Sequence, residues 1–117
     1  SKYGDRARVF VGNAERMDLP DASFDAVVEF NALHHIPGWR LTLREISRVL
    51  RPGGVFYLQD FLKGMTFPWW SRILSGGRQP VVFTGQELRS AIEEGGLQVT
   101  YWKQWREVML QGRARKP

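Results

Sequence analysis

The sequence predicts an α/β domain built on a mostly parallel sheet, and three observations carry that prediction. β-type and helical apolar patterns alternate along the chain, with turn signals between them. Phe24-Asp25-Ala26-Val27-Val28-Glu29-Phe30 is nearly continuous in apolar residues, as expected of a strand covered on both faces in a parallel sheet. An amphipathic helix and a second strand complete a unit of roughly 35 residues, the spacing of a right-handed crossover that leaves both strands parallel.

Each element has its own signal. Arg8 to Gly12 is a short β-branched and aromatic run and reads as the first strand, followed by a polar stretch, Asn13 to Arg16, and a loop over Met17 to Asp21. Phe24 to Phe30 reads as a central strand. From Arg40 to Leu50, Leu43, Ile46, Val49 and Leu50 keep helical spacing, while Arg40, Arg44, Glu45 and Arg48 lie elsewhere on the wheel. That helix should stop at Arg51-Pro52-Gly53-Gly54, because proline cannot continue the ladder and the glycines permit a tight reversal. Val55 to Asp60 is then the next strand.

Phe61 to Phe83 holds Phe67, Trp69, Trp70, Ile73 and Leu74 and reads as a short helix with a loop at Ser75 to Pro80. Thr84-Gly85-Gln86-Glu87 matches a capping box, which opens a helix running to Glu94 with Leu88, Ala91 and Ile92 as its buried stripe. Gly95-Gly96 supplies a left-handed exit. Leu97 to Trp105 alternates, with Leu97, Val99 and Tyr101 on one face. Glu107 to Leu110 resumes after a turn near Lys103 to Arg106, which predicts an antiparallel hairpin.

Length and composition narrow the functional classes. At 117 residues the chain is shorter than the ~150-residue average domain, so residues 1–117 read as one domain. With 43% apolar and 25% charged residues it has the composition of a folded chain. No stretch approaches the ~20 apolar residues of a membrane span, and Ser1 to Arg6 do not lead into a signal-peptide core, so a cytoplasmic location is expected. Zero cysteines exclude disulfides, thiolate nucleophiles and cysteine-based zinc sites. Arg113, Arg115 and Lys116 supply three of the 17 basic residues; without them 14 basic face 12 acidic side chains. These three read as a solvated basic tail, and nucleic acid is not the expected partner.

Four stretches, taken together and in order, resemble the class I S-adenosylmethionine-dependent methyltransferases, specifically the small-molecule type related to ubiquinone and menaquinone biosynthesis enzymes. Val11 to Asp25 is similar to that family's adenine-contacting loop and the entry to its fourth strand. Leu33-His34-His35-Ile36 resembles the segment after that strand, and Leu43 to Gly54 the next helix with its Pro-Gly-Gly turn. Phe83 to Gly96, followed by Ala114 to Pro117, looks like the final helix and the carboxyl end.

The resemblance implies a Rossmann-like methyltransferase sheet, its third to seventh strands only, with S-adenosylmethionine as cofactor and a small-molecule acceptor. It places Asn13 where the family usually carries Asp for the adenine amino group, an acceptor role an amide oxygen also fills. Ala14 and Glu15 would offer backbone amides and Met17 an apolar wall, although a strand-to-helix turn capped by Asn13 accounts for the same residues. Phe30, Asn31 and His35, at the end of the fourth strand, are the other implied cofactor contacts.

His34, Phe61 and Trp69 are the implied substrate contacts, with Phe67 and Trp70 nearby and Arg78 available to an anionic group. The aromatic residues serve equally as core or as an oligomer interface. His34 or His35 would take a proton from a phenol-like acceptor near neutral pH, or else one packs and the other meets solvent. No catalytic residue is assigned. Adjacent histidines on an extended segment point to opposite faces and no third ligand is evident, so no metal is assigned either.

No Gly-x-Gly-x-Gly occurs anywhere in the sequence, whereas the family cradles its cofactor with such a loop after the first strand. By resemblance the chain is the carboxy-terminal half of a methyltransferase domain, without the first strand-loop unit. Phe24 to Phe30 would then be an exposed edge. The expected outcomes are that the chain's first strand moves beside it or that a homodimer forms through it. Two functions stay open: half of a catalyst that is inactive alone, or a non-catalytic association module.

Overall fold

The computed structural model describes residues 8–10, 19–31, 33, 36–64 and 83–117, with the backbone alone at residues 8–10. Five strands form one sheet: β1 (Arg8–Phe10), β2 (Phe24–Phe30), β3 (Leu50–Phe61), β4 (Gln98–Trp105) and β5 (Met109–Arg115). Their order is β1-β2-β3-β5-β4. β1, β2 and β3 are parallel, β5 runs antiparallel to β3, and β4 antiparallel to β5. Helix α1 (Trp39–Val49) makes the crossover from β2 to β3, and α2 (Gly85–Glu94) leads into β4. The α/β class, the parallel part and the antiparallel hairpin agree with the sequence reading.

β1 lies directly beside β2, with Arg8 opposite Ala26 and Phe10 opposite Val28. Of the two outcomes expected for the β2 edge, this is the intramolecular one. It pairs with Ala26 to Val28, the middle of the strand through which the expected homodimer would form.

The core sits between the sheet and the two helices. α1 buries Leu43, Ile46 and Val49, as its spacing predicts, together with Trp39, Thr42 and Ser47. Against them the strands turn Val27, Phe56, Leu58, Leu110 and Ala114, and α2 adds Leu88 and Ile92. Each buried Val, Leu, Ile or Phe side chain contributes about 1.5–3 kcal/mol on leaving water. Gly112 admits the packing at the centre of the hairpin: a Cβ there would stand 2.9 Å from Leu58 Cδ2 and 3.1 Å from Trp102 Cε3.

Several boundaries differ from the sequence reading, each for a local reason. The Pro-Gly-Gly reversal is a bulge inside β3, which already begins at Leu50 opposite Phe24 and resumes register at Val55 opposite Ala26. Gly53, at φ 85°, makes the bend. At the end of α2, Gly95 stays right-handed and Gly96, at φ 97°, makes the exit alone. A bulge between Val99 and Tyr101 reverses the alternation of β4, so Val99 and Trp102 face the helices and Tyr101 faces away. The hairpin turn falls at residues 106–108, with Arg106 left-handed at φ 51°.

The basic residues near the carboxyl end are not a solvated tail. Arg113 and Arg115 belong to β5, and the Lys116 ammonium donates to the carbonyls of Ser47 and Leu50, each at 2.7 Å. Those carbonyls close α1, where the helix dipole favours a cation.

Candidate functional site

Ligands of parallel α/β sheets collect beyond the carboxyl ends of the strands. β2 and β3 end side by side there, with Phe30 opposite Gln59. The chain leaves β2 at Asn31, which adopts a left-handed φ of 53° and donates its amide to the Gln59 carbonyl at 2.7 Å. Asparagine is one of the few residues that enters this region readily. Its side-chain Oδ1 is buried and accepts no hydrogen bond, a state that costs about 1–3 kcal/mol.

Two residues further on, the Leu33 amide donates to two carboxylates at once: Glu29 Oε1 at 2.9 Å and Asp60 Oδ2 at 3.0 Å. Both acids are buried. Glu29 comes from β2 and Asp60 from the end of β3, so one amide ties the segment after β2 to both strand ends. Asp60 Oδ1 also accepts from the Phe61 amide at 2.8 Å. Buried carboxylates persist where donors meet them, and here those donors are backbone amides of the segment that begins at Asn31.

Strand alternation gives the sheet a second face, directed away from the helices. A cleft of about 430 Å³ crosses it, lined by Val28, Phe30, Tyr57, Gln59, Tyr101 and Arg113 among others. The Arg113 guanidinium lies 5.9 Å from the Tyr101 ring centre.

Of the residues singled out in the sequence, the structure brings together Phe30, Asn31 and Phe61. Phe30 and Phe61 end adjacent strands on the face away from the helices, Phe30 exposed and Phe61 half-buried. Asn13, Ala14, Glu15, Met17, His34, His35 and Trp69 lie outside the described residues, as do Phe67, Trp70 and Arg78. Among the described residues no cluster of three or more His, Asp or Glu is placed to hold a metal, and no helix is long and apolar enough to cross a membrane.

The sequence reading missed the Glu29 and Asp60 pair. Its signal was present: an acid inside the apolar run Ala26 to Phe30, and another closing the strand Val55 to Asp60. An acid on the packed face of a strand requires a donor, and that requirement was open to inference.

Residues 1–58 match a family model described as a methyltransferase domain. The fatty-acid O-methyltransferase of Mycolicibacterium smegmatis is 39% identical over 64 residues, which are 55% of this chain and 23% of that protein. The 27-O-demethylrifamycin SV methyltransferase of Amycolatopsis mediterranei is 49% identical over 57 residues, 47% of this chain and 21% of that protein. The chain thus matches less than a quarter of the length of either relative. In three dimensions, Haemonchus contortus phosphoethanolamine N-methyltransferase 2, solved with S-adenosyl-L-methionine, superposes with a TM-score of 0.73 at 13% identity. The superposition covers 90% of this chain and 36% of that one. These matches identify residues 1–58 with a methyltransferase domain, and the superposition shows that the chain shares the fold of a solved S-adenosylmethionine-dependent methyltransferase.

Proposed function

We propose that the chain forms the carboxy-terminal half of a cofactor site and, in the full-length protein, serves methyl transfer from S-adenosylmethionine to a small-molecule acceptor, without activity by itself. Asn31 is the observation that carries this reading. A left-handed residue with a buried, unpartnered acceptor, at the carboxyl end of a parallel strand, suits a ligand that brings a donor. S-adenosylmethionine brings several: an ammonium, ribose hydroxyls and an adenine amino group.

When bound, the cofactor supplies a methyl carbon already activated by its sulfonium. The protein's part is then alignment and exclusion of water rather than strong base catalysis. In this reading Asn31 accepts from the cofactor and Phe30 packs against it. The Glu29 and Asp60 carboxylates hold the Leu33 amide and so fix the segment that carries Asn31. Phe61 borders the acceptor. Asn13, Ala14, Glu15, Met17 and His35 on the cofactor side, and His34 and Trp69 on the acceptor side, complete the proposed set. The two relatives are named for a fatty acid and a rifamycin; a lipid-like or aromatic acceptor is the class we assign here.

The test is calorimetric titration of S-adenosylhomocysteine into the purified chain, with mass measured by light scattering in the same buffer. Saturable binding is expected, weakened at least about tenfold, or ~1.4 kcal/mol, in Asn31→Gly, which keeps the backbone conformation and deletes the acceptor. Equal affinity of the two proteins would remove Asn31 from the site. Absence of heat at millimolar ligand would sink the cofactor assignment for this chain.

A further inference from the structure

Residues 19–25, which lead into β2, are held from the end of α1. One edge of the Arg48 guanidinium donates to both oxygens of Glu45, Oε2 at 2.8 Å and Oε1 at 3.2 Å, on its own helix. Its Nη1 donates to the Leu19 carbonyl at 2.7 Å and to Asp21 Oδ1 at 2.6 Å. The backbone repeats the tie: Ala22 N donates to Arg48 O at 2.9 Å and Ser23 N to Val49 O at 2.8 Å. Arg51 closes the far side, with its guanidinium on Asp25 Oδ1 and the Ala22 carbonyl, each at 3.3 Å. Ion pairs near the surface add little to stability, so three residues gathered by one guanidinium point to position rather than strength.

α1 is placed to pass that position on. Before its first turn, Ile36 N donates to Leu33 O at 3.0 Å, and the Leu33 amide is the one held by Glu29 and Asp60, two residues after Asn31. At the Arg48 end, only Asp18 separates Leu19 from Met17, and two residues of chain reach at most about 7 Å. An 11-residue helix, roughly 16 Å long, thus connects Asn31 with the chain that continues into Met17. We propose that Arg48 is a positioning residue for the adenine end of the cofactor: by holding Leu19 and Asp21 against α1, it sets the approach of Asn13, Ala14, Glu15 and Met17 relative to Asn31. The inference rests on the proposed function, which assigns those contacts. Lysine cannot replace Arg48, because an ammonium is a point charge without the planar fork that reaches Glu45 on one edge and Leu19 and Asp21 on the other.

Calorimetry with two ligands reads position separately from stability: S-adenosylhomocysteine, and the analogue that carries hydrogen in place of the amino group of its purine. The unaltered chain should prefer the amino compound by about tenfold or more, the effect of one lost hydrogen bond. Arg48→Lys should weaken S-adenosylhomocysteine about tenfold and reduce that preference to about threefold or less. Thr84→Ala, which removes the cap of α2, should keep the preference. Amide exchange followed by NMR in the ligand-free chain gives a second reading. In Arg48→Lys the Ala22 and Ser23 amides should exchange at least about tenfold faster, with Leu33 unchanged. A preference retained by Arg48→Lys, or unchanged exchange at Ala22 and Ser23, would overturn the proposal alone. Equal affinity of the unaltered chain for the two ligands would overturn it by removing the amino contact. Absence of binding by the unaltered chain would sink the proposed function and this proposal with it.

Discussion

Within β2, Val27 is fully buried while Phe30, three residues on, is 62% exposed. The same contrast runs across the sheet: Phe56, Leu58 and Leu110 are sealed under helices, and their neighbours Tyr57, Gln59 and Gln111 are not. Side chains alternate with period two on a strand, so one backbone carries two surfaces with different work. The helix side is packed, and the open side is exposed. Adjacent residues should therefore respond very differently to the same substitution.

The widest gap is expected between Phe56→Ala and Tyr57→Ala. The first empties a fully buried site and should cost about 3–5 kcal/mol, while the second, on the open face, should cost about 0.5–1 kcal/mol. Urea unfolding followed by circular dichroism measures both, and equal losses would mean that the open face is covered in solution.

The acid pair on the helix side comes next. Asp60→Ala removes the acceptor for Leu33 and Phe61 and should cost about 1–3 kcal/mol. Glu29→Ala should cost a comparable amount. Because the two carboxylates share one donor, a double-mutant cycle should show coupling of about 0.5 kcal/mol or more. Additive losses would show that each carboxylate is held by its other partners and that the shared amide matters little.

The smallest effect belongs to a feature remote from both faces. Thr84 Oγ1 accepts from Glu87 N at 3.0 Å and Glu87 Oε1 from Thr84 N at 3.3 Å. Thr84→Ala should cost about 1 kcal/mol. A loss near that of Phe56→Ala would place the start of α2 in the folding core rather than at its margin.

The sequence made the parts that depend on local signals legible. The capping box at Thr84, the apolar spacing of α1 and the span of β2 need only neighbours along the chain, and each is where it was expected. What escaped depends on partners remote in sequence. Tyr101 faces away from the helices because a bulge opposite β5 reverses its strand's phase. Lys116 closes α1 through carbonyls of Ser47 and Leu50, almost 70 positions earlier. At the candidate site, Phe30, Asn31 and Phe61 were reached through family resemblance. The convergence of Glu29 and Asp60 on one amide could be seen only after two strands were brought side by side.

β5 pairs on both sides, with β3 and with β4, yet of the five strands it is the last to be synthesised. A nascent chain therefore carries β3 with an unclaimed edge through all the residues that separate Phe61 from Met109. Such an edge invites pairing with other chains, and non-local pairing of this kind is slow to form. Production of the protein should thus be limited by events on the ribosome: slowed translation before residue 109 lengthens the hazard, and a holdase chaperone present during that interval shortens its consequences.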